Sequence, residues 1–279
     1  MERPLFDYEK IIFDVLQSHS HVWIKKATGL GITEFMLRFM AWLCLKDNML
    51  SASEMCIVTG PRIDLAIGLI DRMKRLFYDR GHVVFDNKET VIELNGVKIE
   101  AFPSHHLDAM RGLQNVSFIL LDESDFFPPG QQQDARDVSE RYIGKSNPYI
   151  VFVSTPNAPD GLFERIETEP EDTCLYKRLF LDYTYGIDKI YSPEEIEKSR
   201  VSPSFEREYN LKYLGRIGNV FHTNDIEAAI GKGNKYNPDP DPCTDSPEYP
   251  NYFYSSTIMK VIGIDAACGS IAFECVNGN

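Results

Sequence analysis

Residues 21–34, HVWIKKATGLGITE, pass from an apolar strand pattern through a glycine-bearing turn into the first residues of a helical pattern. Where a strand enters a helix through such a turn, backbone N–H groups and the helix dipole converge on an anion. Set against GxxxxGK[ST], Gly31 and Thr33 fit, Ile32 stands at the lysine position, and Lys26 takes the place of the first glycine. The chemistry needs a cation beside the β- and γ-phosphates, and a lysine entering from the start of the loop reaches the same oxygens. Lys26 is the first candidate and Lys25 the second. Ala27, Thr28, Gly29, Leu30, Gly31 and Ile32 supply the wrapping backbone, and the Thr33 hydroxyl is a ligand for Mg2+. A solvated lysine pair before an ordinary turn would give the same letters, so the segment needs a partner.

That partner is FILLDE, residues 118–123. It places two acids at the end of an apolar strand, at the edge of a parallel sheet where ligands of open α/β folds bind. Asp122 is the expected Mg2+ ligand, and Glu123 the base that orients and deprotonates a water, which is what ATP hydrolysis requires. A third strand, VFVSTPN (151–157), ends in Ser154 and Thr155, small hydroxyls suited to sensing the γ-phosphate. Capping of the turn before Pro156 is the plainer reading of those two.

The rest of the first 160 residues alternates strand and helix patterns, as a parallel sheet wrapped by helices does. ITEFMLRFMAWLCLK (32–46) reads as a mostly buried helix, MCIVTG (55–60) as a strand, and residues 63–77 as an amphipathic helix. Residues 83–102 read as two strands joined through Asn95-Gly96. From residue 170 the texture changes: one strand-like piece, then short helices starting near Ser192-Pro193 and Ser202-Pro203, with Phe205, Tyr209 and Tyr213 on one face. This predicts an ATPase core over 1–169, a small lid subdomain over 170–230, a Pro-rich linker over 231–257 and a hairpin over 258–279.

Composition sets limits. The chain has 279 residues, 43% of them apolar, enough for a sizeable core. No apolar run reaches the ~18 residues of a membrane span, and no signal pattern opens the chain, so a soluble protein without a membrane partner is expected. The six cysteines show no CxxC spacing and read as buried free thiols. The net charge of −13 opposes tight autonomous binding to a polyanion.

Taken in order, LFDYEKIIFDVL, the loop with its displaced lysine, LLDE, VSTP, FEREY (205–209), GRIGNVF (215–221) and VIGID (261–265) resemble the large terminase subunits of tailed viruses. The resemblance implies an α/β P-loop NTPase with a mainly parallel central sheet, a lid, and the beginning of an RNase H-like nuclease domain. It implies ATP and Mg2+ as cofactors and DNA packaging as the work. Double-stranded DNA, a homo-oligomeric ring, a portal and a small terminase subunit are the implied partners, and the host-cell cytoplasm the location. By the same resemblance Arg111 completes a site, in some members that of a neighbouring subunit; a surface salt bridge is the plain alternative. Tyr8 falls beside adenine, with Glu9 where the family has glutamine. Asp265 matches the first metal-binding aspartate of the nuclease, but two-metal cleavage needs several carboxylates, so no nuclease activity is expected of this polypeptide. A helicase-like translocase and a non-catalytic remnant are the competing readings.

Overall fold

The computed structural model describes residues 4–46, 50–78, 85–157, 159–214, 258–265 and 270–277. The chain divides after Leu214 into two compact units. The first begins with helix α1 (Asp7–Ser18), strand β1 (His21–Lys26), helix α2 (Ile32–Lys46), strand β2 (Glu54–Thr59) and helix α3 (Ile63–Tyr78). Strands β3 (Phe85–Lys88), β4 (Val91–Leu94) and β5 (Val97–Pro103) follow, then a 3-10 run over Ser104–Gly112 and strand β6 (Val116–Asp122). Helix α4 (Pro129–Glu140), strand β7 (Tyr149–Ser154), helix α5 (Leu162–Thr168), strand β8 (Lys177–Leu181), helix α6 (Pro193–Ser199) and helix α7 (Phe205–Glu208) complete it.

One eight-stranded sheet runs in the order β3-β4-β5-β2-β6-β7-β1-β8. The six strands from β5 to β8 are parallel, and β4 and β3 extend the edge antiparallel. Period-two alternation splits the apolar strand residues between two cores. Phe118 and Leu120 of β6 join Ile24, Ile57 and Val151 under α1, α2 and α3. Ile119 and Leu121 join Trp23, Val58 and Phe152 under α4 and α5. Strands buried on both faces read as continuous apolar runs, which is why β6 and β7 look as they do in sequence.

The structure departs from the sequence reading in three places. Residues 83–102 hold three strands, not two; β4 and β5 turn at Asn95 and Gly96, both at positive φ (50° and 74°). Helix α4 has no counterpart in the sequence reading, since its buried face is built from Gln132, Ala135, Val138 and Ser139 and carries almost no apolar periodicity. Helix α7 stops at Glu208, and Leu211 takes a left-handed φ of 61°, so Tyr213 leaves the face where Phe205 and Tyr209 stack at 5.0 Å.

The described part of the expected lid, 170–214, lies within the first unit, and its strand β8 pairs with β1. Cys44 and Cys56 are buried free thiols and Cys174 a half-buried one. No helix among the described residues is long and apolar enough to cross a membrane. The second unit contributes an antiparallel hairpin, β9 (Ile258–Asp265) and β10 (Ser270–Asn277), with Asp265 opposite Ser270. The GRIGNVF stretch and the expected linker lie outside the described residues.

Candidate active site

In a parallel sheet every strand delivers its last residue to the same edge. β1 ends in Lys26, β6 in Asp122 and β7 in Ser154, and β7 lies between the other two. The Lys26 ammonium donates to Glu123 Oε1 at 2.5 Å and to Thr155 Oγ1 at 3.1 Å. The other Glu123 oxygen accepts from the Thr155 backbone N–H at 3.3 Å and from Ser154 Oγ at 3.4 Å. Thr33, in the first turn of α2, donates its hydroxyl to Asp122 Oδ1 at 2.7 Å. The loop, the paired acids and the Ser154-Thr155 tip therefore form one contiguous cluster.

Alternation along β1 separates the two lysines. Lys25 points to the opposite face, where it pairs with Glu167 at 2.7 Å and lies 4.4 Å from the centre of the Tyr213 ring. Ile32 is buried in the core beside Leu30 and Phe35. Its side chain serves packing, so the cation at this site comes from β1.

Burial, together with the charge of Glu123, pushes the Asp122 carboxyl up to about 6, against the Thr33 hydrogen bond and the charges of Lys26 and Arg72. Arg72 does not stand out in the sequence, where it is one of several polar residues on an amphipathic helix. It pairs with Glu34, the residue after Thr33, at 3.0 Å, which brings its charge to the site. Glu123 has a left-handed backbone (φ 51°, ψ 45°), an uncommon conformation for a residue with a side chain and one that concentrates at functional sites.

The loop itself is held from outside. Ala27 N–H donates to Leu181 O and Thr28 N–H to Glu208 O, each at 2.8 Å. Gly29 and Gly31 have φ of 79° and 74°. Among the described residues, no carbonyl accepts from the N–H groups of Gly29, Leu30, Gly31, Ile32 or Thr33. Thr33 Oγ1 and Asp122 Oδ1 are hard oxygen donors, the type that suits Mg2+.

Two further expected residues take no part in this cluster, and a third is outside this unit. Arg111 is in the 3-10 run, its half-exposed side chain paired with Asp108 at 3.0 Å, the surface salt bridge that is its plain alternative. Tyr8 has no exposed surface, and its hydroxyl donates to Leu30 O at 2.8 Å; the ring packs in the core and offers no face to a base. Asp265 belongs to the second unit.

No protein-family model matches this sequence, and no curated protein does. Solved structures do match. The chain aligns with the large terminase of a thermophilic bacteriophage at a TM-score of 0.62 and 15% identity, over 80% of this chain and 57% of that one. It aligns with a variant of the Thermus phage P74-26 large terminase ATPase domain at a TM-score of 0.57 and 13% identity, over 76% of this chain and 95% of that one. The fold is that of a large terminase ATPase domain. The large terminase of bacteriophage HK97 agrees, with a TM-score of 0.61 and 14% identity over 81% of this chain and 54% of that one. The chain thus spans little more than half the length of the thermophilic-phage and HK97 terminases. The thermophilic-phage terminase has also been solved with ADP and with ATP-γ-S bound.

Proposed function

We propose that the chain binds ATP with Mg2+ and hydrolyses it, as the motor ATPase of viral DNA packaging. The observation that carries this reading is the convergence of Lys26, Thr33, Asp122, Glu123 and Thr155 at one sheet edge, beside a loop whose N–H groups from Gly29 to Thr33 meet no carbonyl among the described residues. Donors that point at one spot fit a polyphosphate, and the dipole of α2 adds to them. Mg2+ would be held by Thr33 and Asp122, and when bound it offsets charge on the phosphate oxygens.

Lys26 is paired with Glu123. A γ-phosphate is the stronger partner for the ammonium, and its arrival frees the carboxylate. Glu123 then takes a proton from water as the water oxygen bonds to the γ-phosphorus and the bond to the bridging oxygen breaks. Ser154 and Thr155 contact the same carboxylate and sense the change. Arg111 acts from a neighbouring subunit on a second copy of this site, which accounts for its surface position.

The partners proposed with this reading are double-stranded DNA, further copies of the chain in a ring, and a portal and small terminase subunit in the cytoplasm of a host cell. The charge of −13 requires that DNA be gripped weakly, or through surfaces of the assembly. A phosphate-release assay with and without DNA tests the reading. Magnesium-dependent turnover that DNA stimulates is expected. Absence of turnover under both conditions would favour a non-catalytic remnant, and turnover that single-stranded DNA alone stimulates would favour a helicase-like translocase.

A further inference from the structure

The phosphate loop is touched from behind by two tyrosine hydroxyls that come from distant parts of the sequence. Tyr8, on α1, donates to the Leu30 carbonyl at 2.8 Å. Tyr191, just before α6, donates to the Thr28 carbonyl. In a planar trans peptide the C=O of one residue and the N–H of the next point in opposite directions. A donor fixed on the Thr28 carbonyl therefore aims the Gly29 N–H away from Tyr191, and one on the Leu30 carbonyl aims the Gly31 N–H away from Tyr8. Those are the loop's two glycines, both at left-handed φ, and their N–H groups have no carbonyl partner among the described residues.

From this geometry we infer that Tyr8 and Tyr191 form a clamp that presets the loop for a triphosphate, each acting as a positioning residue without touching the ligand. The inference rests on the nucleotide reading of the site. The seat of Tyr191 is built for it. A Cβ on Gly29 would lie 3.3 Å from its ring, and one on Gly186 would lie 2.4 Å from the ring and 2.8 Å from Leu30. Only glycine at 186 leaves room for both the ring and the loop. Burial pushes the Tyr191 hydroxyl upward in pKa, so it stays a donor throughout the working range. The clamp also assigns a role to Tyr8 that differs from base recognition. A residue that fixes the phosphate loop acts on any triphosphate, with or without a base.

The test uses Tyr8→Phe, Tyr191→Phe and Gly186→Ala in the whole chain, with Tyr176→Phe as control. Tyr176 donates to the Glu140 carboxylate at 2.8 Å, and its loss removes a tyrosine hydrogen bond at least as strong from another part of the core. Amide order parameters are measured on the free protein, and affinity is measured for inorganic triphosphate with Mg2+. Tyr191→Phe should lower the order of the Gly29 amide and Tyr8→Phe that of Gly31. Each should weaken triphosphate about fivefold, the scale of one neutral hydrogen bond. Gly186→Ala should reproduce the Tyr191→Phe result by displacing the ring, and the control should change neither readout. Phe variants that match the wild type in loop order and affinity overturn the clamp while leaving the ATPase reading intact. A wild type that binds no triphosphate contradicts that reading, and the clamp's purpose with it.

Discussion

Lys26 and Glu123 are joined at 2.5 Å although they leave strands that are not neighbours, since β7 lies between β1 and β6. Strands two places apart are separated by roughly 10 Å, so only a long side chain laid across the tip of the middle strand closes the gap. Lys26 does this over Thr155. The pair brings the end of β1 and the acids after β6 to the same space, with the Lys26 side chain buried and that of Glu123 38% exposed.

Replacing Glu123 with Gln should abolish turnover while leaving nucleotide affinity within about threefold, because the amide still accepts hydrogen bonds but takes no proton. Single-turnover phosphate release and a binding titration on one preparation check this. Normal turnover in the variant would remove Glu123 from the role of base.

The two lysines should separate cleanly. Lys26→Ala weakens both binding and turnover. Lys25→Met instead breaks the pair with Glu167, whose side chain is 24% exposed, and should cost about 1–3 kcal/mol of stability with little effect on nucleotide affinity. Denaturant unfolding beside a nucleotide titration reads both effects. The reverse pattern would transfer the phosphate to Lys25.

Asp122 makes a prediction about pH. Its folded pKa of about 6 lies above the ordinary 3.8, so between those values the folded protein holds more of this proton than the unfolded chain does. Stability attributable to this group therefore falls as pH rises through that window, and above it the full cost of a buried charge is present. Asp122→Asn should be more stable than wild type at pH 8, by about 1–3 kcal/mol, with the difference gone near pH 3.5. Turnover should be lost in the variant and should decline in the wild type below pH 6. Thermal unfolding across pH reads the first effect, and a variant less stable at pH 8 would contradict it.

Arg111 is proposed to act between subunits. Arg111→Ala should change stability by less than about 0.5 kcal/mol and leave nucleotide affinity unaltered. Turnover by each of Arg111→Ala and Glu123→Gln alone should be low, and mixing the two proteins should restore part of it, since some sites then receive a good arginine and a good base. A mixture no more active than its components would exclude a role in trans.

The legible parts of this molecule are those whose signal is local. β1, α2, β6 and β7 are long apolar runs bounded by turns, and the acids and hydroxyls at their ends can be placed on one edge from the parallel pattern alone. Gln132 is not legible, because a buried polar residue that donates to Asp125 O and Phe127 O and accepts from the Leu162 N–H looks like surface in sequence. Arg72 and Tyr191 are equally hidden. Their partners, Glu34 and the Thr28 carbonyl, are brought to them by tertiary packing. Sequence spacing does not decide between Lys25 and Lys26, yet strand alternation sends them to opposite faces. Tyr8 shows a related limit: an aromatic near the loop is visible, but not that its ring is buried.

In the proposed function a magnesium-bound triphosphate sits between residues 26–33 and the acids at 122–123. Hydrogen exchange on the wild-type chain, with and without ATP-γ-S and Mg2+, measures this most directly. Amides of 26–33 and of the segment carrying Asp122 and Glu123 should become protected together, and only when both nucleotide and metal are present. Binding that protects neither segment, or protects one without the other, would contradict it.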